Sequence, residues 1–252
     1  MISADLTGRR VLVTGASSGI GLAAATLFAR NGAAVALNHL ADDPRGPEAA
    51  SLLAAEGLSV RAVAGDVSRP GEAEGMVAAA VDRLGGLDAL LNNAGTSVTV
   101  EPIPFEDLDA MSEDFWATIL STNLVGPYRC ARAAAPALRA ARGAIVNTAS
   151  VAGLGRRGSS IAYSASKAGL VNLTRSLARA LAPEVRVNAV APGLVATPWT
   201  AAWPQARKDA TVANTMLKRM AAPEDIAEAM LFLVAGAAYV TGETLTVDGG
   251  AM

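Results

Sequence analysis

Apolar positions along this chain follow two alternating patterns. Short continuous runs, such as Val11-Leu12-Val13, Val35-Ala36-Leu37 and Ile145-Val146, are separated by long alanine-rich stretches. The runs predict strands over residues 10–14, 34–38, 59–64, 89–92, 144–148, 186–190 and 244–247. The stretches between them predict helices over 19–31, 47–56, 70–84, 112–140, 162–181 and 223–235. Strands apolar at every position are buried on both faces, so the alternation implies a parallel sheet with helices above and below. Helix punctuation agrees: Ser112 with Glu113 and Asp114 opens one helix, and Pro223-Glu224-Asp225 opens another.

Two segments break the rhythm. Residues 44–47 carry Pro and Gly and predict a loop after the second strand, and 193–222 is a long connection holding Pro198, Trp199, Trp203 and Pro204. Long connections in a compact domain are commonly functional, so a substrate lid is expected there. With no repeat and no linker in 252 residues, one domain over 1–252 is expected, its ligand at the carboxyl ends of the strands.

Composition narrows the chemistry. A formal charge of −2 with scattered acids and bases gives no basic stripe for nucleic acid. No apolar run approaches the roughly 18–20 residues of a membrane span. The N-terminal segment, with Asp5, does not read as a signal peptide, so a cytoplasmic protein is expected. One cysteine, Cys130, in an apolar helical stretch reads as a buried thiol. With a single histidine as well, no metal site is expected.

The loop Thr14-Gly15-Ala16-Ser17-Ser18-Gly19-Ile20-Gly21 joins the first strand to the first helix. Glycines there let the backbone turn tightly and approach a pyrophosphate, which free N–H groups at the helix N-terminus would bind. Tyr163 and Lys167, four apart in a helical stretch, share one face. A nearby ammonium lowers a phenol from its free pKa of about 10 and suits it to acid–base work. Ser150 ends a strand, so its hydroxyl is placed at the sheet's carboxyl edge.

The spacing Gly-x-x-x-Gly-x-Gly, with Asp66-Val67, Asn93-Ala94-Gly95, Asn123, Ser150, Tyr163-x-x-x-Lys167, Pro192-Gly193 and Val247-Asp248-Gly249-Gly250, resembles the short-chain dehydrogenase/reductase family in its compact branch. The likeness runs along nearly the whole chain. It implies a single doubly wound, Rossmann-like sheet of about seven parallel strands and hydride transfer between NAD(P) and a small carbonyl or alcohol. In that family Tyr163 would exchange the proton with the substrate oxygen. Lys167 would also hold the ribose hydroxyls, Ser150 would orient the substrate, and Asn123 would anchor a relay water. The resemblance places Gly15, Ser17, Ser18, Gly19, Ile20 and Gly21 at the pyrophosphate. It places Asp66 and Val67 beside the adenine, and Asn93, Ala94 and Gly95 beside the ribose. Pro192, Gly193, Val195 and Thr197 fall at the nicotinamide and phosphates. A homotetramer, with the long helices 112–140 and 162–181 and the last strand as interfaces, is implied too.

Cofactor choice turns on the end of the second strand, where an acid selects NAD over NADP. That position falls on His39, with Asp42 and Asp43 farther along in the loop. Asn38, His39, Ser17 and Arg45 can together contact a 2′-phosphate, so a modest preference for NADP(H) is expected, with NAD(H) tolerated. Substrate walls are expected from Val98, Leu154, Trp199 and Trp203, and Arg156 with Arg157 is either an anion contact or a solvated turn. A 3-oxoacyl thioester, a sugar or polyol, and a simple ketone all fit. A non-catalytic dinucleotide sensor would not need Asn123, Ser150, Tyr163 and Lys167 together. An epimerase of the related extended family would carry a different glycine spacing.

Overall fold

The apolar runs form seven strands: β1 (Arg10–Val13), β2 (Ala34–His39), β3 (Val60–Ala64), β4 (Ala89–Asn92), β5 (Ala144–Thr148), β6 (Arg186–Pro192) and β7 (Thr244–Val247). The computed structural model describes residues 3–251; Met1, Ile2 and Met252, at the ends of the expected domain, lie outside them. The sheet is parallel throughout, in the order β3-β2-β1-β4-β5-β6-β7. The chain steps outward from β1 to β3, then returns to β1's other side with β4. Connections leaving β1 and β4 therefore diverge, which opens a crevice outside their carboxyl ends.

Side-chain alternation assigns the two faces. Val11, Val13, Val35, Leu37 and Leu91 pack on one face, under helices α1 (Gly19–Arg30), α2 (Arg45–Ala55) and α9 (Pro223–Leu231). Leu12, Ala36, Leu90, Ile145 and Val187 pack on the other, under α3 (Glu72–Leu84), α5 (Gly126–Ala141) and α6 (Ile161–Leu181). Successive residues of the central strands feed both layers, whereas edge strand β7 alternates Thr244 and Thr246 with Leu245 and Val247.

Three helical expectations need correction. Residues 112–140 are not one regular helix: α4 (Glu113–Leu120) runs into a π-helical turn at Ser121–Val125, and only then into α5. Pro127 has no N–H to give the carbonyl four residues before it, that of Asn123, so the ladder is interrupted at that point. A second π turn at Phe232–Gly236 follows α9 within the stretch expected as one helix. Residues 44–47 are not a loop. Pro44 caps α2, and Gly46 lies in its first turn because a Cβ there would collide with the His39 ring. The expected lid carries two short helices, α7 (Pro198–Ala201) and α8 (Gln205–Ala213), and its ends are tied by a parallel bridge between Val195 and Ala221.

Candidate active site

The loop after β1 is shaped by what its glycines must approach. Gly15 has φ +60° and would place a Cβ 2.7 Å from the Cα of Ala94, at the end of β4. A Cβ on Gly21 would strike the carbonyl oxygen of Gly15, so Gly21 serves the turn's packing and does not line the cleft. Polar side chains then fix the loop. Asn93 Nδ2 donates to the carbonyls of Thr14 (3.1 Å) and Gly15 (3.0 Å). The backbone N–H groups of Asn93 and Ala94 both donate to Thr14 Oγ1, at 3.0 and 3.1 Å. Asn38 accepts from the Gly15 N–H at 3.0 Å and donates to the Gly65 carbonyl at 2.9 Å.

A cavity of about 680 Å³ opens above this loop, at the carboxyl edge of the sheet. Of the side chains and backbone expected at the site, all but Gly21 and Asn123 line it. The cavity meets the physical requirements of a dinucleotide. Ser18 stands extended at the N-terminus of α1 and its side chain caps no N–H, which leaves the first-turn donors free for an anion. Gly19 leaves the space under Thr197 open, since a Cβ would sit 3.2 Å from Thr197 Cγ2. Gly193 is held by its N–H to the Val247 carbonyl at 3.0 Å, which docks the chain after β6 against Asp248.

At the far end of the cavity, β5 and α6 bring the catalytic candidates together. Ser150 follows β5 and opens a short turn, its Oγ accepting from the Ala152 N–H at 3.2 Å. Ser160 caps α6 by accepting from the Tyr163 N–H at 3.0 Å, which fixes where the helix, and so Tyr163, begins. Lys167 lies one turn on, 3% exposed, and its ammonium donates to the Thr148 carbonyl at 2.6 Å. The ammonium stands 5.7 Å from the centre of the Tyr163 ring. Burial pushes the Tyr163 phenol up to about 12, against an opposing effect of the Ser150 hydroxyl. Burial also pushes Lys167 down to about 8. The expected lowering of the phenol by Lys167 is thus not a property of these residues alone, because burial dominates and the opposing effect comes from Ser150.

Asn123 stands behind the cavity wall. Its Oδ1 accepts from the Thr96 N–H at 2.8 Å, and its Nδ2 donates to the Thr96 carbonyl (2.9 Å) and to Ser166 Oγ (3.2 Å). The side chain is fully engaged as a clamp on the irregular segment after β4.

The adenosine end departs most from expectation. Asn38 cannot reach a phosphate, since its amide is committed to the backbone on both sides. His39 is 6% exposed with Nδ1 against the Leu40 carbonyl at 2.8 Å. Asp43 folds back onto the glycine loop: Ser17 Oγ donates to its Oδ2 at 2.7 Å. Arg45 grips the same carboxylate through Nε (2.8 Å) and a terminal nitrogen (2.9 Å), which holds it well below the usual carboxylate range. Thr14, Thr96 and Ser166 were not singled out from the sequence as parts of the site, and Asp43 was named only as an acid farther along the loop after the second strand. Only the threonine ending β1 carried a local signal, its place at the strand's carboxyl end.

Of the expected walls, Trp199 and Trp203 line the cavity, whereas Val98, Leu154 and Arg156 do not, and Arg156 lies 3.4 Å from Asp248. Trp199 meets the Tyr163 ring edge-on, centres 6.0 Å apart. Cys130 is buried, and burial raises its thiol to about 12, so it offers no nucleophile.

Lys167 gives a pH signature in stability. Its folded value near 8 lies below its ordinary 10.5, so between those values the unfolded chain binds the extra proton. Stability therefore rises with pH across that window. Wild type should gain stability relative to K167M as pH is raised from about 7 to about 10, read from urea midpoints of both proteins. A difference that stays constant over that range would contradict the buried, strained ammonium.

The comparisons agree with this architecture. The family model described as enoyl-(acyl carrier protein) reductase matches residues 15–252. The chain is 44% identical over 246 residues to a protein assigned as ketoacyl reductase 2 of the granaticin polyketide synthase from Streptomyces violaceoruber, covering 95% of this chain and 94% of that one. It is 38% identical over 243 residues to meso-2,3-butanediol dehydrogenase from Serratia marcescens, covering 96% and 93%. A solved structure assigned as a short-chain alcohol dehydrogenase from Sinorhizobium meliloti superposes with a TM-score of 0.89 at 37% identity, covering 98% of this chain and 97% of that one. The chain belongs to the short-chain dehydrogenase/reductase family and is an oxidoreductase acting between CH–OH and C=O with a nicotinamide dinucleotide.

Proposed function

We propose that Tyr163 is the proton donor and acceptor of this enzyme, with Ser150 orienting the substrate oxygen and Lys167 and Asn123 supporting it. The observation that carries the reading is the convergence of the Tyr163 phenol and Ser150 on one cavity with the uncapped N-terminus of α1. A bound nicotinamide dinucleotide supplies or receives the hydride. In reduction the Tyr163 hydroxyl hands its proton to the developing alkoxide, and in oxidation its phenolate takes the alcohol proton. Asp66, Val67 and Gly95 flank the adenosine and ribose, with Gly15, Gly19, Ile20 and Thr197 around the phosphates. The substrate is a small carbonyl or alcohol. The relatives' own activities range from a ketoacyl reductase to a butanediol dehydrogenase, so a 3-oxoacyl thioester stands as the alternative.

The sequence favoured NADP(H), and the structure moves the reading toward NAD(H). Three of the four groups expected on a 2′-phosphate are already engaged: Asn38 with the backbone, Ser17 and Arg45 with Asp43. A 2′-phosphate would have to take Arg45 from Asp43 and then stand beside a bare carboxylate. NADP(H) remains usable because the pair is partly exposed. A cytoplasmic location and a single domain over 1–252 belong to the same proposal. A homotetramer does too, supported by Tyr128 and Val125 exposed around α5 and by Phe232, Leu245 and Tyr239 exposed near β7.

Y163F should lower turnover by about 10²–10⁴ while dinucleotide affinity, read by titration, stays close to wild type. In wild type, alcohol oxidation should rise between about pH 6 and 9, because the phenolate is the form that takes the alcohol proton. Y163F retaining wild-type rates, or a flat oxidation profile with chemistry rate-limiting, removes Tyr163 from this role. D43N frees Arg45 and should shift the ratio of kcat/KM for NADP(H) over NAD(H) upward by roughly ten- to a hundredfold; an unchanged ratio places cofactor choice elsewhere. Light scattering should give a mass of four chains, and a monomer at micromolar concentration would refute the tetramer.

A further inference from the structure

The lid contributes a charged group that the proton-transfer scheme does not use. Arg207, on α8, lines the same cavity as Tyr163 and is partly buried. Its guanidinium stacks on the Trp203 ring, Cζ 4.7 Å from the ring centre, and among the described residues it has no carboxylate or carbonyl partner. The second arginine of the cavity, Arg157, is close enough for its charge to act on Arg207. Arg157 leans on Phe105 at 5.2 Å, and its single acid, Glu106 at 3.7 Å, is 79% exposed on the rim. The carboxylates that line the cavity, Asp43 and Asp66, belong to the adenosine end. Two guanidinium groups thus face one cavity, Arg207 partly buried with no acid partner among the described residues and Arg157 65% exposed with only the rim acid Glu106 beside it. Trp203 adds an independent sign, because its Nε1 is buried without an acceptor among the described residues.

Like charges on one cavity wall repel, and an arginine does not escape by losing its proton. Such a pair is relieved by an anion that accepts from both forks. Geometry also says how that anion relates to the reacting carbon. Tyr163 meets Trp199 edge-on, Trp199 and Trp203 both line the cavity, and Trp203 carries Arg207. An apolar strip therefore leads from the proton donor to the arginines.

We propose that the substrate is an organic anion, with a carboxylate or phosphate bound by Arg207 and Arg157, and an apolar body laid along Trp199 and Trp203. Its carbonyl faces Ser150 and Tyr163. This inference rests on the reductase reading given above and names the class of substrate within it.

The test uses three probes that differ only in the remote group: 4-acetylbenzoate, its methyl ester, and 4-acetylphenyl phosphate. Wild-type enzyme should reduce at least one of the anions with kcat/KM roughly ten- to a hundredfold above the ester. Which anion wins separates carboxylate from phosphate. R207M should remove most of that advantage, costing the anion far more than the ester, and R207K should restore part of it. Quenching of tryptophan fluorescence by the same probes, in the presence of dinucleotide, reads binding without turnover. Anion binding that weakens in R207M supports the proposal even where no ketone is reduced, in which case the reductase reading fails and the anion site stands. Equal rates and equal binding for acid and ester in wild type would overturn it, as would an R207M effect identical on both.

Discussion

A lysine ammonium inside a protein has few ways to be stabilised, and the site is arranged around that constraint. Lys167 is 3% exposed, and its one acceptor among the described residues is the carbonyl of Thr148, the last residue of β5. That contact requires α6 to cross the carboxyl edge of the sheet at one height, which Ser160 sets by capping the helix at Tyr163. It also requires the wall behind to come close without a side chain: a Cβ on Gly95 would lie 3.6 Å from the ammonium and 3.2 Å from Asn123 Oδ1. Burial that pushes the ammonium down also pushes the phenol up, so protein alone leaves Tyr163 a protonated acid. On the proposed function, the positive charge of an oxidised dinucleotide would favour the phenolate and so would couple cofactor binding to proton transfer.

The same economy of polar groups governs the cofactor end. Asparagines at the ends of β2 and β4 do not point at ligand; they hold the glycine loop's backbone so that its free donors can. On the proposals above, specificity is left to elements beyond the strands, the Asp43–Arg45 pair on one side and the arginine-bearing lid on the other. One scaffold can change cofactor or substrate through these without disturbing the proton donor.

How much of this was legible in the sequence follows from what each feature leaves in it. Strands buried on both faces write themselves as continuous apolar runs, so all seven were placed to within about two residues. Tyr163 and Lys167 were legible because helical spacing is fixed. The π turn at Ser121–Val125 was not, because one inserted residue leaves the apolar pattern almost unchanged and its only mark is Pro127. Asp43 was read as too far from the loop because a sequence gives the distance along the chain but not the direction of a turn. Asn38 and Asn93 line the cavity and Asn123 stands behind its wall, yet the side chains of all three bond to backbone, a distinction that only hydrogen-bond partners reveal.

The coupling of the phenol to the cofactor is the centre of this account, and it can be read directly. Tyrosine labelled with ¹³C at Cζ, with Tyr163 assigned by its loss in Y163F, gives the phenol's titration by NMR in the free protein and with oxidised dinucleotide bound. The account predicts a free value near 12 that falls by more than one unit when the oxidised cofactor binds. A Tyr163 resonance that titrates at the same pH with and without cofactor would contradict it.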